Sequence, residues 1–577
     1  MTSSSISHRS SSRMRRVPNA DPEDASFPSA QSARPVLAQL KPSWFIPRYL
    51  KSFRWIVIIF TFVLVSWITY TGLFSRTLSH IISGHHDTSA LTVNELQALA
   101  VPQRSSNPSS SRRMRLFMPA DSPHINLCKT IMSAVAMGYP MPILLNWKRS
   151  HIAKLESLLG AIETLLESKS DDVGEDDIAV LVDAYDMWFQ LPPSVLLERY
   201  HRLNSEADAR IRKQWKSIGI GTDFPISPPR QDIIVTTAKD CFPDAYSGSD
   251  PHYEHWPESP MPKDMYGEDT DKVPWSFDPA RKYKKVRPRC VNSGLIMGTM
   301  GGLRDALKRS KEKVDTVAMK GRQLWSDQAL IGEVIGDQEI WREWMRHLGS
   351  SWNGSAAFND RGSLGSTVRD IADAAVLGKR FEFGIGLDYN FTTAPPTCSS
   401  EEDGYFVSLS NETNIHEESQ KAGVPGDVRI HGIPSELRRI KDKLLSSTNW
   451  GTIHLYTDFF FGTTPIAIHH NAYINGLKGF RLKNWWHKMW YYPHLRHLIT
   501  QRLKPTPSPP ALAEIDLNGQ RIEYKSPQED KQRKARVFSP LKPNFTPIDW
   551  DAVCQKPGHA VNWYDELFGD DKGPLAV

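Results

Sequence analysis

The chain of 577 residues contains only five cysteines, and no two of them stand in Cys-x-x-Cys spacing. This scarcity argues against a zinc module, in which closely spaced cysteines supply the ligands. No Gly-x-Gly-x-x-Gly follows a predicted strand, so a dinucleotide cofactor is not expected, and no Walker A sequence is present. The formal net charge is only +5, and therefore no nucleic-acid partner is implied.

One segment, Trp55–Phe74, has twenty residues and no charged side chain. That length is enough to cross a bilayer core of about 30 Å as a helix. Arg48, Lys51 and Arg54 precede the segment, whereas only Arg76 follows it closely. The excess of positive charge before the segment predicts a cytosolic N-terminus. A cleaved signal peptide is the alternative, but the apolar run is too long and begins too far into the chain.

The rest of the chain is then predicted to lie in the lumen of the endoplasmic reticulum or Golgi apparatus, as in a single-pass type II membrane protein. All five cysteines follow the apolar segment, on the side where disulfides can form. The Asn-x-Ser/Thr acceptor sites for glycosylation also follow it. They are Asn353, Asn390, Asn411 and Asn544.

Changes in composition predict five consecutive regions. Residues 1–54 are rich in Ser, Arg and Pro and are expected to be a disordered cytosolic tail. The predicted order after it is a transmembrane anchor (55–74), a luminal stem (75–110), a folded domain (111–503), and a Pro-rich linker with a C-terminal extension (504–577).

The folded domain alternates predicted strands and helices, which is the pattern of an α/β fold with a Rossmann-like sheet. The run Ile178–Val182 is apolar throughout, as expected for a strand buried on both faces of a parallel sheet. Asp183 and Asp186 follow this strand directly. Open α/β sheets bind ligands just beyond the carboxyl ends of their strands. Two acids at that position suggest a divalent cation and a phosphorylated ligand.

Several other segments share this design, in which polar residues stand at the end of an apolar run. They are Thr-Ala-Lys-Asp-Cys-Phe-Pro at 237–243, Cys-Val-Asn-Ser-Gly-Leu-Ile-Met-Gly at 290–298, Ser-Asp-Gln at 326–328, and Ile-Ala-Ile-His-His-Asn at 466–471, with Lys478 beyond.

Together with Leu-Val-Asp-Ala-Tyr-Asp at 181–186, these segments resemble the glycosyltransferase domain of the lysyl hydroxylase and procollagen glycosyltransferase family. The resemblance covers roughly residues 111–485. It implies a GT-A type fold that uses a UDP-sugar and Mn²⁺, and therefore a hexosyltransferase acting on a protein or glycan acceptor. The chain lacks the C-terminal dioxygenase domain of the multidomain enzymes, so hydroxylation is not implied.

The resemblance also implies roles for individual residues. Asp183, Asp186 and His469 match the metal ligands of the family, although His470 stands where the family has glycine. Asp327 matches the acidic cluster beside the sugar, where the family often has a second acid at the position of Ser326. The residues expected at the nucleotide are Tyr185 and Trp147 on the uracil, with Asn471 close to the metal site.

The chemistry of the side chains leads to the same site. Carboxylate and imidazole ligands with open positions suit Mn²⁺. Lys478 could place a point charge on the phosphates, and Asn292 and Ser293 could hydrogen-bond sugar hydroxyls. Each signal also has a structural alternative, since Asp-x-x-Asp can be a solvated turn and Asp327 can cap the helix that follows it.

Two other functions stay open. A metal-dependent phosphohydrolase also places acids after an apolar strand, but the haloacid-dehalogenase type needs Asp-x-Asp spacing. A non-catalytic relative that binds glycans or acts as a scaffold is the other possibility. The acceptor, the linkage, the stereochemical course and the oligomeric state do not follow from the sequence.

Overall fold

The computed structural model describes residues 94, 97, 110–148, 154–168, 172–243, 249–271, 282–319, 326–352, 364–426, 428–472, 474–508, 510–517 and 519–575. The chain divides into two compact units, Met1–His86 and Asp87–Val577, and the described residues all belong to the second. The predicted cytosolic tail and the anchor at 55–74 lie outside the described residues. Within the described part of the chain, no helix has the length and apolar character needed to cross a membrane.

Fourteen strands and eleven α-helices form the described part of the chain. The strands are β1 (Ser111–Pro119), β2 (Ile143–Leu145), β3 (Ile178–Val182), β4 (Met187–Phe189), β5 (Ile233–Ala238), β6 (Cys290–Thr299), β7 (Ile385–Asp388), β8 (Gly404–Ser408), β9 (His454–Asp458), β10 (Ala467–His469), β11 (Ala511–Leu517), β12 (Gln520–Lys525), β13 (Arg536–Ser539) and β14 (Asn544–Pro547). The helices are α1 (Ile125–Met137), α2 (Lys154–Glu167), α3 (Pro193–Ser217), α4 (Met300–Met319), α5 (Asp327–Ser350), α6 (Ser366–Val376), α7 (Glu412–Ala422), α8 (Leu477–Asn484), α9 (Leu495–Arg502), α10 (Trp550–Cys554) and α11 (Trp563–Phe568).

The central element is a ten-stranded sheet in the order β14-β13-β2-β1-β3-β6-β5-β7, to which β12 and β11 are added beside β1. The predicted mixed α/β architecture is confirmed, and the sheet is compatible with a Rossmann-like fold. β1, α1 and β2 form a βαβ unit, because β1 and β2 pair in parallel. Two short antiparallel pairs, β4 with β10 and β8 with β9, lie outside this sheet.

The expectation that β3 lies in a wholly parallel environment is wrong on one side. β3 pairs in parallel with β1, but β6 runs antiparallel to both β3 and β5. Leu295 pairs with Val182 at the end of β3. Because of this reversed direction, the first residues of β6 lie beside the last residues of β3, and the Asn-Ser-Gly segment reaches the same edge as Asp183.

The core lies on both faces of the sheet, which explains the continuous apolar runs of its strands. Along β3, Val180 and Val182 pack in one cluster with α1, while Ala179 and Leu181 pack in the other with α2. All five residues of β3 are buried. This double burial fixes the end of the strand and therefore the position of the acids that follow.

The C-terminal extension, for which the sequence predicted no elements, is continuous with the sheet of the folded domain. β12 pairs in parallel with β1, and β13 pairs in parallel with β2. A disulfide between Cys128 and Cys554 joins α1 to α10. In β12 only Ile522 and Tyr524 are buried, so its apolar signal is weak.

Candidate metal centre

The two acids of the Asp-Ala-Tyr-Asp segment lie in a tight connection between two strands. β3 ends at Val182, and β4 begins at Met187 directly after Asp186. The backbone N–H of Asp183 donates to the carbonyl oxygen of Gly294 at 2.9 Å, which fastens the turn to β6. Asp186 is buried and Asp183 is partly exposed. The local sequence thus places two carboxylates side by side at the edge of the sheet.

His469 reaches these acids because β10 pairs with β4. The register sets His469 opposite Met187, one residue after Asp186. The Nε2 atom of His469 lies 3.3 Å from Oδ2 of Asp183 and 3.7 Å from Oδ1 of Asp186. One ligand atom from each of the three side chains lies within 4.8 Å of the others. The three predicted metal ligands are therefore brought together.

The donor set fits a divalent cation. Two carboxylates and one imidazole are ligands that Mn²⁺ and similar ions accept. The ring of His469 is buried, and its Nδ1 has no hydrogen-bond partner among the described residues. Asp327 lies nearby, so the charged cluster at the site contains three carboxylates and two lysines, Lys154 and Lys478. It therefore keeps a net negative charge that a divalent cation would compensate.

Gly294 provides the space for the His469 ring. A Cβ atom at this position would lie 2.4 Å from both Cε1 and Nδ1 of His469, and 2.9 Å from Oδ1 of Asn292. Real Cβ atoms essentially never approach so closely. Glycine at this position therefore makes room for the candidate ligand.

Lys154, at the start of α2, is a member of the site that the sequence did not indicate. Its Nζ lies 2.7 Å from Oδ1 of Asp183 and 2.8 Å from Oδ2 of Asp327, and it donates to the carbonyl oxygen of Ser293 at 3.2 Å. Burial alone would lower the pKa of Lys154, but attraction to Asp183 and Asp327 outweighs it and raises the pKa. Likewise, burial would raise the pKa of Asp183, but Lys154 and then His469 hold it well below its usual range.

Lys478, at the start of α8, forms an ion pair with the second of the two acids. Its Nζ is 2.7 Å from Oδ2 of Asp186. Burial would lower the pKa of Lys478, but attraction to Asp186 raises it. The side chain is partly exposed, so its ammonium group can exchange one anionic partner for another.

Asp327 does not cap the helix that follows it. Ser326 is the N-cap residue of α5 and accepts a hydrogen bond from the backbone N–H of Ala329. The Asp327 carboxylate is turned instead toward Lys154. The alternative of a purely structural cap is therefore excluded for Asp327, and its side chain belongs to the charged cluster.

Asn292 and Ser293 lie in this region, but their polar groups are largely engaged within the protein. The Asn292 side chain accepts from the backbone N–H of Gly294 at 3.0 Å and donates to Oε1 of Gln328 at 3.3 Å. The backbone N–H of Ser293 also points to Gln328, at 3.4 Å. A disulfide between Cys241 and Cys290 joins the start of β6 to the neighbouring segment. Gln328 was not identified from the sequence, because its role depends on two partners distant in the chain.

Tyr185 and Trp147 stand at the same edge of the sheet. The Tyr185 hydroxyl accepts from the backbone N–H groups of Asp121 and Ser122, each at 3.1 Å, and donates to Oδ1 of Asp121 at 2.6 Å. Burial and the hydrogen bond to Asp121 raise the pKa of Tyr185. Trp147, two residues after the end of β2, is partly buried against the core. The hydroxyl of Tyr185 is thus fully engaged, and its partly exposed ring remains for contact with a ligand.

The two histidines and Asn471 have separate surroundings. His470 is fully buried between Trp188, with ring centroids 4.2 Å apart, and Trp485, at 5.9 Å. Burial lowers the pKa of His470 well below its usual range. The side-chain oxygen of Asn471 accepts from the backbone N–H of Cys398 at 3.0 Å. Strand alternation therefore directs His469 to the acids and His470 to the core.

No protein-family model and no curated protein matches the chain. The fold and the site together define a mixed α/β protein with a candidate divalent-metal centre formed by Asp183, Asp186 and His469.

Proposed function

We propose that the chain is a divalent-metal-dependent glycosyltransferase that moves a hexose from a UDP-sugar to a protein or glycan acceptor. The observation that carries this proposal is the convergence of Asp183, Asp186 and His469 at the edge of an α/β sheet. This edge is where open α/β sheets bind ligands. The strand β6, antiparallel between two other strands, brings Asn292 to the same place.

The charges of the site suit a diphosphate leaving group. Negative charge accumulates on the diphosphate as its bond to the sugar breaks, and a bound divalent cation such as Mn²⁺ would supply Lewis acidity toward its oxygens. Lys478 lies beside Asp186 and can donate to a phosphate oxygen. Lys154 holds the carboxylates of Asp183 and Asp327 in fixed positions from the opposite side.

The remaining residues support binding of the donor sugar nucleotide. We assign the partly exposed ring of Tyr185 to the uracil, with Trp147 as a second aromatic contact. Asp327 and Asn292 are assigned to the side of the sugar, where a carboxylate and an amide can hydrogen-bond hydroxyl groups. Ser293 and Asn471 support the site mainly through the backbone contacts that hold it together.

We also propose that Trp55–Phe74 anchors the chain in the endoplasmic reticulum or Golgi membrane with the folded domain in the lumen. The basic residues before this segment support that orientation. Protease treatment of sealed microsomes is expected to spare everything after about residue 75. Digestion of the folded domain in intact vesicles would contradict the orientation.

The activity is tested by incubating the full chain with a panel of UDP-sugars, with and without Mn²⁺. We expect Mn²⁺-dependent release of UDP from at least one sugar nucleotide, and its loss in the Asp183→Asn variant. Metal-dependent cleavage of phosphate esters, with no release of UDP, would favour the phosphohydrolase alternative. Binding of glycans without any turnover would favour a non-catalytic relative.

A further inference from the structure

A cavity lined by none of the residues of the candidate metal centre lies elsewhere in the folded domain. It has a volume of about 510 Å³ and lies between α3, α5 and the edge strand β7, under the segment around Trp256. This volume is in the range of pockets that hold small ligands. The part of α5 that lines it, from Ile335 to Arg346, begins eight residues after Asp327. At 1.5 Å per residue the lining begins about 12 Å from Asp327 and extends to about 29 Å, so this cavity is separate from the candidate metal centre.

The acidic groups that line the cavity already have cationic partners. Glu339 pairs with Arg342 at 2.8 Å, and Arg342 is held from its other side by Glu382 at 2.7 Å. Glu258, at the rim, lies within 4.0 Å of Lys263 and Arg287. The cavity therefore offers no carboxylate that lacks a nearby positive charge.

Two other arginines in the lining, Arg346 and Arg210, form no ion pair with a carboxylate of the described residues. Arg346 lies one turn after Arg342 on α5 and is partly buried, yet no acidic group of the described residues lies within ion-pair distance and no hydrogen bond to its guanidinium is found there. Burial lowers the pKa of Arg346, and attraction to Glu339 does not offset this effect. Arg210 on α3 is exposed, and its guanidinium carbon lies 5.9 Å from the centroid of the Tyr389 ring.

Aromatic surface completes the lining. Tyr389, directly after β7, is buried, and within the described part of the chain its hydroxyl has no hydrogen-bond partner. The indole N–H of Trp256 is already used, since it donates to the carbonyl oxygen of Pro251 at 2.8 Å. Trp256 therefore offers only its ring, whereas Tyr389 offers a ring and a free hydroxyl.

We propose that this cavity binds a monosaccharide-sized ligand that carries an oxyanion, with the anion on Arg346 and Arg210 and the ring body against Tyr389 and Trp256. A guanidinium matches the geometry of carboxylate and phosphate groups, and partial burial strengthens that interaction. The flat faces of aromatic rings suit the apolar face of a sugar. The anion is either a carboxylate, as in a uronic acid, or a phosphate, as in a sugar phosphate. The inference does not depend on transferase activity at the metal centre.

The experiment is isothermal titration of the full chain in the presence of EDTA, which keeps the metal centre from contributing. The probes are glucuronate, glucose 6-phosphate and, as the neutral control, glucose. We expect at least one of the two anions to bind and glucose not to bind, and the tighter anion identifies the head group. Absence of binding by both anions, or equal binding of glucose, would overturn the proposal.

Variants locate the binding. Arg346→Met keeps the length of the side chain and is expected to weaken binding of the anion by about tenfold or more, as for loss of a charge-assisted hydrogen bond. Tyr389→Phe keeps the packing and should cause a smaller loss. The matched control is Asp183→Asn at the metal centre, which should leave binding unchanged. Unchanged affinity in Arg346→Met, or a loss in Asp183→Asn, would place the probe elsewhere and refute the assignment.

Discussion

Replacement of Gly294 by alanine tests whether the position of the His469 ring determines metal binding. The new Cβ would lie 2.4 Å from two atoms of that ring, whereas ordinary contacts begin at about 3.4 Å, so the ring or the strand must move by about 1 Å. The ring is buried and has little room to yield. Overpacking of this kind costs about 1–3 kcal/mol of stability. His469 has to bind the same ion as two carboxylates, so displacement of its ring should weaken Mn²⁺ binding. We expect a loss of about 10–100-fold, as when a residue that supports a metal ligand is removed.

The assay is calorimetric titration with Mn²⁺, together with urea unfolding of the same samples. Gly298→Ala is the matched control, because it lies on the same strand and its Cβ would meet Cγ1 of Ile233 at 2.8 Å, away from the acids. This control should lose stability but keep its affinity for Mn²⁺. If Gly294→Ala lost stability and kept wild-type affinity for Mn²⁺, His469 would not be a ligand in the geometry described.

Three further predictions concern single side chains. Asp183→Asn or Asp186→Asn should abolish Mn²⁺-dependent turnover of a UDP-sugar at a cost of several kcal/mol in the transition state, while circular dichroism shows an intact fold; near-normal turnover would remove the metal assignment. His469→Ala should lose Mn²⁺ affinity, whereas His470→Ala should keep it and lose about 2–4 kcal/mol of stability, because it empties space between two tryptophans. Titration of both variants with Mn²⁺ checks this, and a larger loss of affinity in His470→Ala would contradict it. Burial raises the pKa of Asp530 from 3.8 to about 6, so the folded state holds the proton more tightly and stability should decrease as pH rises from about 4 through about 6. Asp530→Asn can still accept a hydrogen bond from the backbone N–H of Met141. This variant should therefore be more stable than the wild type by about 2–3 kcal/mol at pH 8, but not at pH 4. Urea unfolding at both pH values checks this, and an equal change in stability at the two would contradict it.

The parts of the site that follow from local sequence could be predicted. Asp183 and Asp186 come directly after a strand whose burial is evident from its apolar run, so their place at the sheet edge needs no knowledge of distant partners. His469 was found through the family resemblance, and in the structure strand alternation separates it from His470. Ser326, Asp327 and the start of α5 could be recognised as a helix start, although the sequence left open whether Asp327 itself was the cap.

Other parts depend on contacts between distant segments and could not be predicted. Lys154 is one of many lysines on amphipathic helices, and only the packing of α2 against α4 and β2 brings it to Asp183 and Asp327. The role of Gly294 depends on a ring 175 positions later in the chain, and the reversal of β6 depends on its pairing with β3 and β5. The strands of the C-terminal extension have polar faces, so their apolar pattern is weak.

The central claim is that Asp183, Asp186 and His469 hold the divalent cation that binds the diphosphate of a UDP-sugar. The most direct measurement is crystallography of the folded chain with Mn²⁺ and UDP, using anomalous scattering at the manganese edge. We expect one strong anomalous peak within bonding distance of a carboxylate oxygen of each aspartate and of Nε2 of His469, in contact with the diphosphate of UDP. A peak elsewhere, or UDP bound at another surface with these three side chains free, would contradict it.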